Sequence, residues 1–177
     1  MSQLKVNSIV PVGGLPTGSN GGIIQVKQTV KTDVFGTTSS SFVDVTGLSV
    51  AITPSSNANK VLVQVNLGMV GGAQLSYPGF RVVRGSTAIG LGTSASGNQV
   101  NVCFVANHSR DSGFDSEGGI FWQFLDSPAT TSETTYKLQV FSSYLSRSIN
   151  INRPDESANA AYHQRTSSSI TVMEVTT

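Results

Sequence analysis

The chain has 177 residues, a formal net charge of +1, 38% hydrophobic residues and only 12% charged ones, about half the charged share (roughly 25%) of an ordinary globular domain. That balance excludes electrostatic capture of nucleic acid or of an anionic membrane. No stretch approaches the roughly 20 apolar residues of a membrane-spanning helix, so no membrane insertion is expected. Ser, Thr, Asn and Gly fill the difference, and a polar but uncharged surface suits contact with protein surfaces or glycans.

Residues 1–22 hold Pro11, Pro16, Gly13, Gly14, Gly18, Gly21 and Gly22. Proline removes backbone donors and glycine raises the entropy cost of ordering. The segment is therefore predicted to be an extended N-terminal arm and flexible joint that orders only against a partner. It lacks the apolar run of a signal peptide, so export by a cleaved signal is not expected.

Residues 23–177 are predicted to form one domain. Strands are expected at 23–32 and 42–53, with a turn at Thr53-Pro54-Ser55-Ser56-Asn57. The clearest strand is 60–70: Val61, Val63, Val65, Leu67 and Met69 share one face, and Gln64, Asn66 and Gly68 the other. Strands at 79–84 and 87–92 are joined by the hairpin signal Arg84-Gly85-Ser86-Thr87. Val100, Val102, Phe104 and Ala106 alternate with Asn101, Cys103 and Asn107, which predicts a further strand. Cys103, the single cysteine, reads as a small buried hydrophobe, and no intrachain disulfide is possible.

Strands follow at 119–126, around Tyr136, Leu138 and Val140, at 148–152 and at 168–176. Phe121, Trp122 and Phe124 are expected in the core. Polar loops are expected at 107–118 and 153–167. About ten short strands with regular turn signals predict an all-β fold, an antiparallel β-sandwich or jelly roll. In the last strand Ile170 and Val172 lie on one face, Met173 and Val175 on the other. A strand apolar on both faces is usually covered on both. These four residues are therefore candidates for an oligomer interface; core burial and cover by the arm remain the alternatives.

Chemistry-bearing motifs are sparse. Asp111, Asp115 and Glu117 lack calcium-loop spacing, because the twelfth position from Asp111 is Trp122. Asp155 and Glu156 are adjacent, a poor arrangement for paired acid–base work. There is no Gly-x-Ser-x-Gly elbow, phosphate loop or Cys/His cluster. No catalytic residue, metal ligand or cofactor is assigned. Tyr77, Arg110, Tyr144, Arg147 and His163 are the receptor-contact candidates, whereas Tyr162 and Arg165 read as pins of the long loop.

Several stretches carry a resemblance together. They are Leu4-Lys5-Val6-Asn7-Ser8-Ile9, Val45-Thr46-Gly47-Leu48-Ser49-Val50, Phe80-Arg81-Val82-Val83-Arg84-Gly85-Ser86-Thr87, Leu125-Asp126-Ser127-Pro128, Thr134-Thr135-Tyr136-Lys137-Leu138 and Ile170-Thr171-Val172-Met173-Glu174-Val175. In this order they resemble tail-fibre-like virion structural proteins of tailed bacteriophages of cyanobacteria and other marine bacteria. The resemblance implies a jelly roll on an anchoring segment, often a homotrimer, made in the host cytoplasm and carried on the tail or capsid surface of the virion. It implies that Leu4, Lys5, Val6, Asn7 and Ile9 dock on other virion proteins, and that a host-surface glycan or protein is the outward partner. Asn152, Arg153, Tyr162 and Arg165 match a family loop pattern that implies fold maintenance. The chain has no coiled-coil heptads and no long shaft, which favours a short tail fibre, a head fibre or a capsid decoration protein. A glycan-binding or glycan-degrading tailspike-like protein is the further alternative.

Overall fold

The computed structural model describes residues 22–73, 76–106, 115–143, 147–156 and 158–177. The anchoring candidates Leu4, Lys5, Val6, Asn7 and Ile9 lie outside them, as does most of the predicted arm. The described residues form strands β1 (Ile23–Lys31), β2 (Phe35–Thr37), β3 (Val43–Ile52), β4 (Lys60–Gly72), β5 (Pro78–Arg84), β6 (Thr87–Ile89), β7 (Phe104–Val105), β8 (Asp115–Asp126), β9 (Thr134–Ser142), β10 (Ile149–Ile151) and β11 (Ser168–Val175). Among the described residues no helix is long and apolar enough to cross a membrane.

The strands make two antiparallel sheets. One runs β1-β11-β4-β10-β2, with β8 on the other edge of β4; the second runs β3-β9-β5-β6, with β7 also on β5. One apolar cluster joins them. Val61, Val63, Val65, Leu67, Ile149, Ile151, Ile170 and Val172 come from the first sheet; Leu48, Ile52, Phe80, Val82, Leu138 and Val140 come from the second. Each such side chain contributes on the order of 1.5–3 kcal/mol by leaving water.

Three pairs of short strands are single strand lines with an interruption. Along β4, Ile149 pairs with Gly72 and Ile151 with Val70, and the same line resumes with Ser169 on Asn66. Residues 152–167 leave that line and return to it. Beside it, β1 and β2 form one line broken at residues 32–34. Along β5, Thr87 pairs with Arg84 and Ile89 with Val82, and Phe104 resumes on Phe80. Residues 90–103 are the excursion there. The predicted strand at 100–106 is thus reduced to Phe104–Val105, because its first half belongs to this excursion.

Each excursion is closed at its neck by one side chain. Asn152 is fully buried and sits at φ +67°, a region asparagine tolerates better than most residues. Its Nδ2 donates to the carbonyls of Lys31 (3.0 Å) and Asp33 (2.9 Å), and its Oδ1 accepts from Ser168 Oγ at 2.6 Å. The same residue therefore holds the break in β1/β2 and the neck of 152–167. At the other neck the Cys103 thiol donates to Ile89 O (3.1 Å) and accepts from Val82 N (3.3 Å). Burial pushes that thiol above its ordinary pKa, so it stays protonated and able to donate.

The excursion 152–167 lies directly on β4. A Cβ at Gly68 would collide with the carbonyl of Ser167, and one at Gly71 with the backbone of Arg153, Pro154 and Asp155. The strand alternation slips by one at this place. Val70 is fully buried in the core position predicted for Met69, and Met69 is half-buried.

The two sheets are also clamped by a polar cluster. Tyr136 on β9, fully buried, donates its hydroxyl to Asp126 Oδ2 at 2.7 Å, and Arg84 Nη1 reaches both Asp126 oxygens at 2.9 and 2.8 Å. Burial and the bond to Asp126 push the phenol far above its ordinary pKa. Tyr136→Phe removes one of the two donors to Asp126 Oδ2 and is expected to cost about 1–2 kcal/mol. Urea unfolding measures this loss; a midpoint equal to the parent's would show that the clamp is dispensable.

Candidate functional site

The outer face of the first sheet is legible from its register. Three cross-strand rows run over β1, β11, β4 and β8. They are Val26–Met173–Leu62–Leu125, Gln28–Thr171–Gln64–Gln123 and Val30–Ser169–Asn66–Phe121. None of these twelve side chains is charged. Val26 (55%), Val30 (53%), Phe121 (58%) and Leu125 (47%) are exposed, at the two edges of the face. The central row is tied by Gln28 Nε2 to Thr171 Oγ1 (2.9 Å) and Gln64 Nε2 to Gln123 Oε1 (3.4 Å).

At its C-terminal end strand β1 turns valine outward and lysine inward, although Lys27 further back stays exposed. Val26 and Val30 face out, while Lys31 is buried over Gly47 with its Nζ 2.8 Å from Asp33. A one-residue slip would exchange the two faces. The observed register is held by Asn152 on the carbonyls of Lys31 and Asp33.

These observations correct two expectations. Ile170 and Val172 are fully buried in the chain's own core and offer nothing to a second copy; only Met173 and Val175, both half-buried, lie on the other side of β11. Phe121 points to solvent, and it is Trp122 that packs against the core. Alternation places residues on opposite faces but does not say which face is covered.

A second feature is a cleft of about 710 Å³ between the start of β5, the end of β9 and the 90–103 excursion. Phe141 and Val102 form its apolar bed. Gly79 makes room for them, since a Cβ there would enter the Phe141 ring. The excursion is a small hairpin, closed by Gly92 N to Val102 O (3.1 Å) and tipped by the turn Ser96-Gly97-Asn98-Gln99, with Gly97 at φ +59°. Asn101 Oδ1 accepts from Ala95 N (3.1 Å) and Gln99 Oε1 from Ser96 N (3.0 Å). Tyr77 stands at the rim at φ +41°, and its carbonyl accepts from Ser143 Oγ at 2.8 Å. Among the described residues no charged side chain lines the cleft.

Of the five receptor-contact candidates, Tyr77 alone among the described residues lines this cleft; Arg110 and Tyr144 lie outside the described residues. Arg147 is exposed away from it. His163 belongs to the other excursion, where its Nδ1 accepts from Ala158 N (2.9 Å) and its ring meets Tyr162 edge-on at 4.6 Å. Tyr162 is 74% exposed, and Arg165 donates to the carbonyls of His163 and Gln164 within its own loop. Asn152 also pins that loop, as does Arg153, whose Nη2 binds Asn150 Oδ1 and whose Nη1 donates to Asp155 O (3.1 Å). Asp155 in turn accepts from Ser148 Oγ (2.7 Å) and Asn150 Nδ2 (3.2 Å). Asp111 lies outside the described residues. No family model matches the chain, and no curated protein sequence matches it.

Proposed function

We propose that the chain is a non-enzymatic, fibre-type structural protein of a phage virion. Leu4, Lys5, Val6, Asn7 and Ile9 anchor it, and its β-domain assembles as a homotrimer that meets the host surface. Connectivity supports a jelly roll. Counting β1/β2, β6/β7 and β10/β11 as one strand line each leaves eight lines. Their order is first-eighth-third-sixth in one sheet and second-seventh-fourth-fifth in the other, the two-sheet, double Greek-key arrangement that virion and lectin domains use.

The observation that carries the reading is the outer face of the first sheet. Uncharged over three successive rows and apolar at both edges, it has the composition of the interior of an assembly. Val26 and Val30 on the β1 edge meet Phe121 and Leu125 on the β8 edge of the next copy, and three such contacts close a ring. A trimer presents three outward sites, so weak contacts with a host surface gain avidity.

The purified chain is expected to sediment at three times its 18.5 kDa mass. Val26→Asp and Leu125→Asp each place a charge in the contact and are expected to weaken assembly at least about 100-fold, leaving a folded monomer by circular dichroism. A monomeric parent chain removes the trimer. Gold-labelled antibody on particles tests the rest: label on the tail supports the fibre, and label across the head lattice supports a capsid decoration or head-fibre role instead.

A further inference from the structure

We propose that the cleft beneath the 90–103 excursion binds a neutral oligosaccharide. Charge is the first argument. Among the described residues the lining offers no counter-charge to a phosphate, sulfate, carboxylate or ammonium group, and a charged ligand resting on them would lose hydration without compensation. The second is the composition of the lining. Phe141, Val102 and Tyr77 supply apolar surface for the C–H faces of sugar rings. Asn98, Gln99 and Asn101 of the excursion add amides to the same lining. Gln99 and Asn101 already use their oxygens on the backbone of the excursion, which turns the amide nitrogens into donors for hydroxyl oxygens. A purely apolar ligand would leave those donors unpaired.

The third argument is preorganisation. The neck is fixed by Cys103 on Ile89 and Val82 and by Cys103 N on Phe80 O at 2.8 Å. The rim is fixed by Ser142 Oγ on Ser76 O (3.2 Å) and Ser143 Oγ on Tyr77 O (2.8 Å). A tyrosine at positive φ is a strained residue that its surroundings hold in place, and here they hold it at the mouth of the cleft. A volume of about 710 Å³ falls within the ordinary range of ligand sites.

The biological use of this site rests on the attachment reading above, but its occupancy does not. Binding is measured on the purified full chain, so failure to label particles leaves it standing and an empty cleft leaves the virion role standing. The measurement is a saturation-transfer NMR titration with maltotriose, cellotriose, mannotriose and triacetylchitotriose, with sialyllactose and a sulfated disaccharide as charged comparators. At least one neutral trisaccharide is expected to bind saturably, and the charged ones weakly or not at all. Val100→Asp at the half-exposed mouth and Tyr77→Ala at the rim are each expected to weaken binding at least about tenfold. Asn98→Ala tests the amides should Tyr77→Ala fail to fold. Tyr162→Ala, on the other excursion, is expected to leave binding unchanged. Absence of binding by all four neutral sugars, tighter binding of a charged one, or binding indifferent to Val100→Asp overturns the proposal.

Discussion

Gly71→Ala is expected to lower the stability of the domain by about 3 kcal/mol or more, a fall in Tm of roughly 6–12 °C for a chain of this size. The substitution is conservative in volume, and its predicted effect comes from contact alone. The new methyl group would lie inside the backbone of Arg153, Pro154 and Asp155. A flexible side chain would move aside, but this backbone is held on both sides. Asn152 fixes it through Lys31, Asp33 and Ser168, and Asp155 fixes it through Ser148 and Asn150. Gly68→Ala strikes the returning leg at Ser167 and Thr166 and is expected to behave alike. Gly85→Ala is the control. Its Cβ meets nothing within 4 Å, so the cost is only that of a positive φ, about 1 kcal/mol.

Asn152 separates backbone from side chain at the same neck. Asn152→Gly keeps a residue suited to φ +67° but removes the hydrogen bonds; Asn152→Ala removes both. Alanine is therefore expected to be the worse of the two by about 1 kcal/mol. Thermal melts of Gly71→Ala, Gly68→Ala and the Asn152 pair decide the matter. A Gly71→Ala protein melting with the parent would mean that the excursion does not rest on β4.

What the sequence discloses here is periodicity, and periodicity sorts residues onto two faces without naming the partner of either. Val61, Val63, Val65 and Leu67 are legible as one buried row because the opposite face of the same strand carries Gln64, Asn66 and Gly68. The row departs from that alternation at Met69, beyond Gly68, where Val70 takes the buried position. Glycine in the interior of the strongest strand was itself the missed signal, since it marks close approach of another backbone. The two excursions were not legible as such. A strand line that leaves a sheet and resumes looks in sequence like two strands, or like a strand and a loop. Cys103 looked like a small hydrophobe and is also the latch of a neck. The apolar outer face was hidden because Val26 and Val30 look like any inward-facing pair. Only the burial of Lys31 opposite them shows which way β1 is turned. Tyr77 was reachable as an aromatic near a turn, but Asn98, Gln99 and Asn101 were not. Their role depends on a hairpin that pairing, not propensity, creates.

Acid is expected to weaken the domain through Glu174, and the sign follows from its surroundings. Glu174 lies on β11 facing inward and is 1% exposed. Burial alone would raise its carboxyl, but Oε1 accepts from Asn59 Nδ2 at 2.6 Å and from Ser55 N and Oγ at 2.7 Å each, and these bonds hold it below its ordinary value. A carboxyl depressed in the folded state stabilises the fold fully above its unfolded pKa, near 4.3, and loses that contribution as pH falls through the folded value. Asp33, bonded to Lys31, and Asp44, bonded to Lys137 and Gln139, are depressed too. The acid slope of the parent is therefore a sum, and the difference between the parent and Glu174→Gln isolates one member. At neutral pH Glu174→Gln replaces a charged acceptor of three hydrogen bonds by a neutral one and leaves the Asn59 amide facing a second amide. The expected loss is about 3 kcal/mol. Below the unfolded pKa the gap should narrow as pH falls, because the unfolded parent then takes up a proton that the folded carboxyl resists. Urea melts from pH 7 down to pH 3 measure both limbs. A constant gap across that range would mean that the charge contributes nothing and that the turn after β3 is held to the last strand by shape alone.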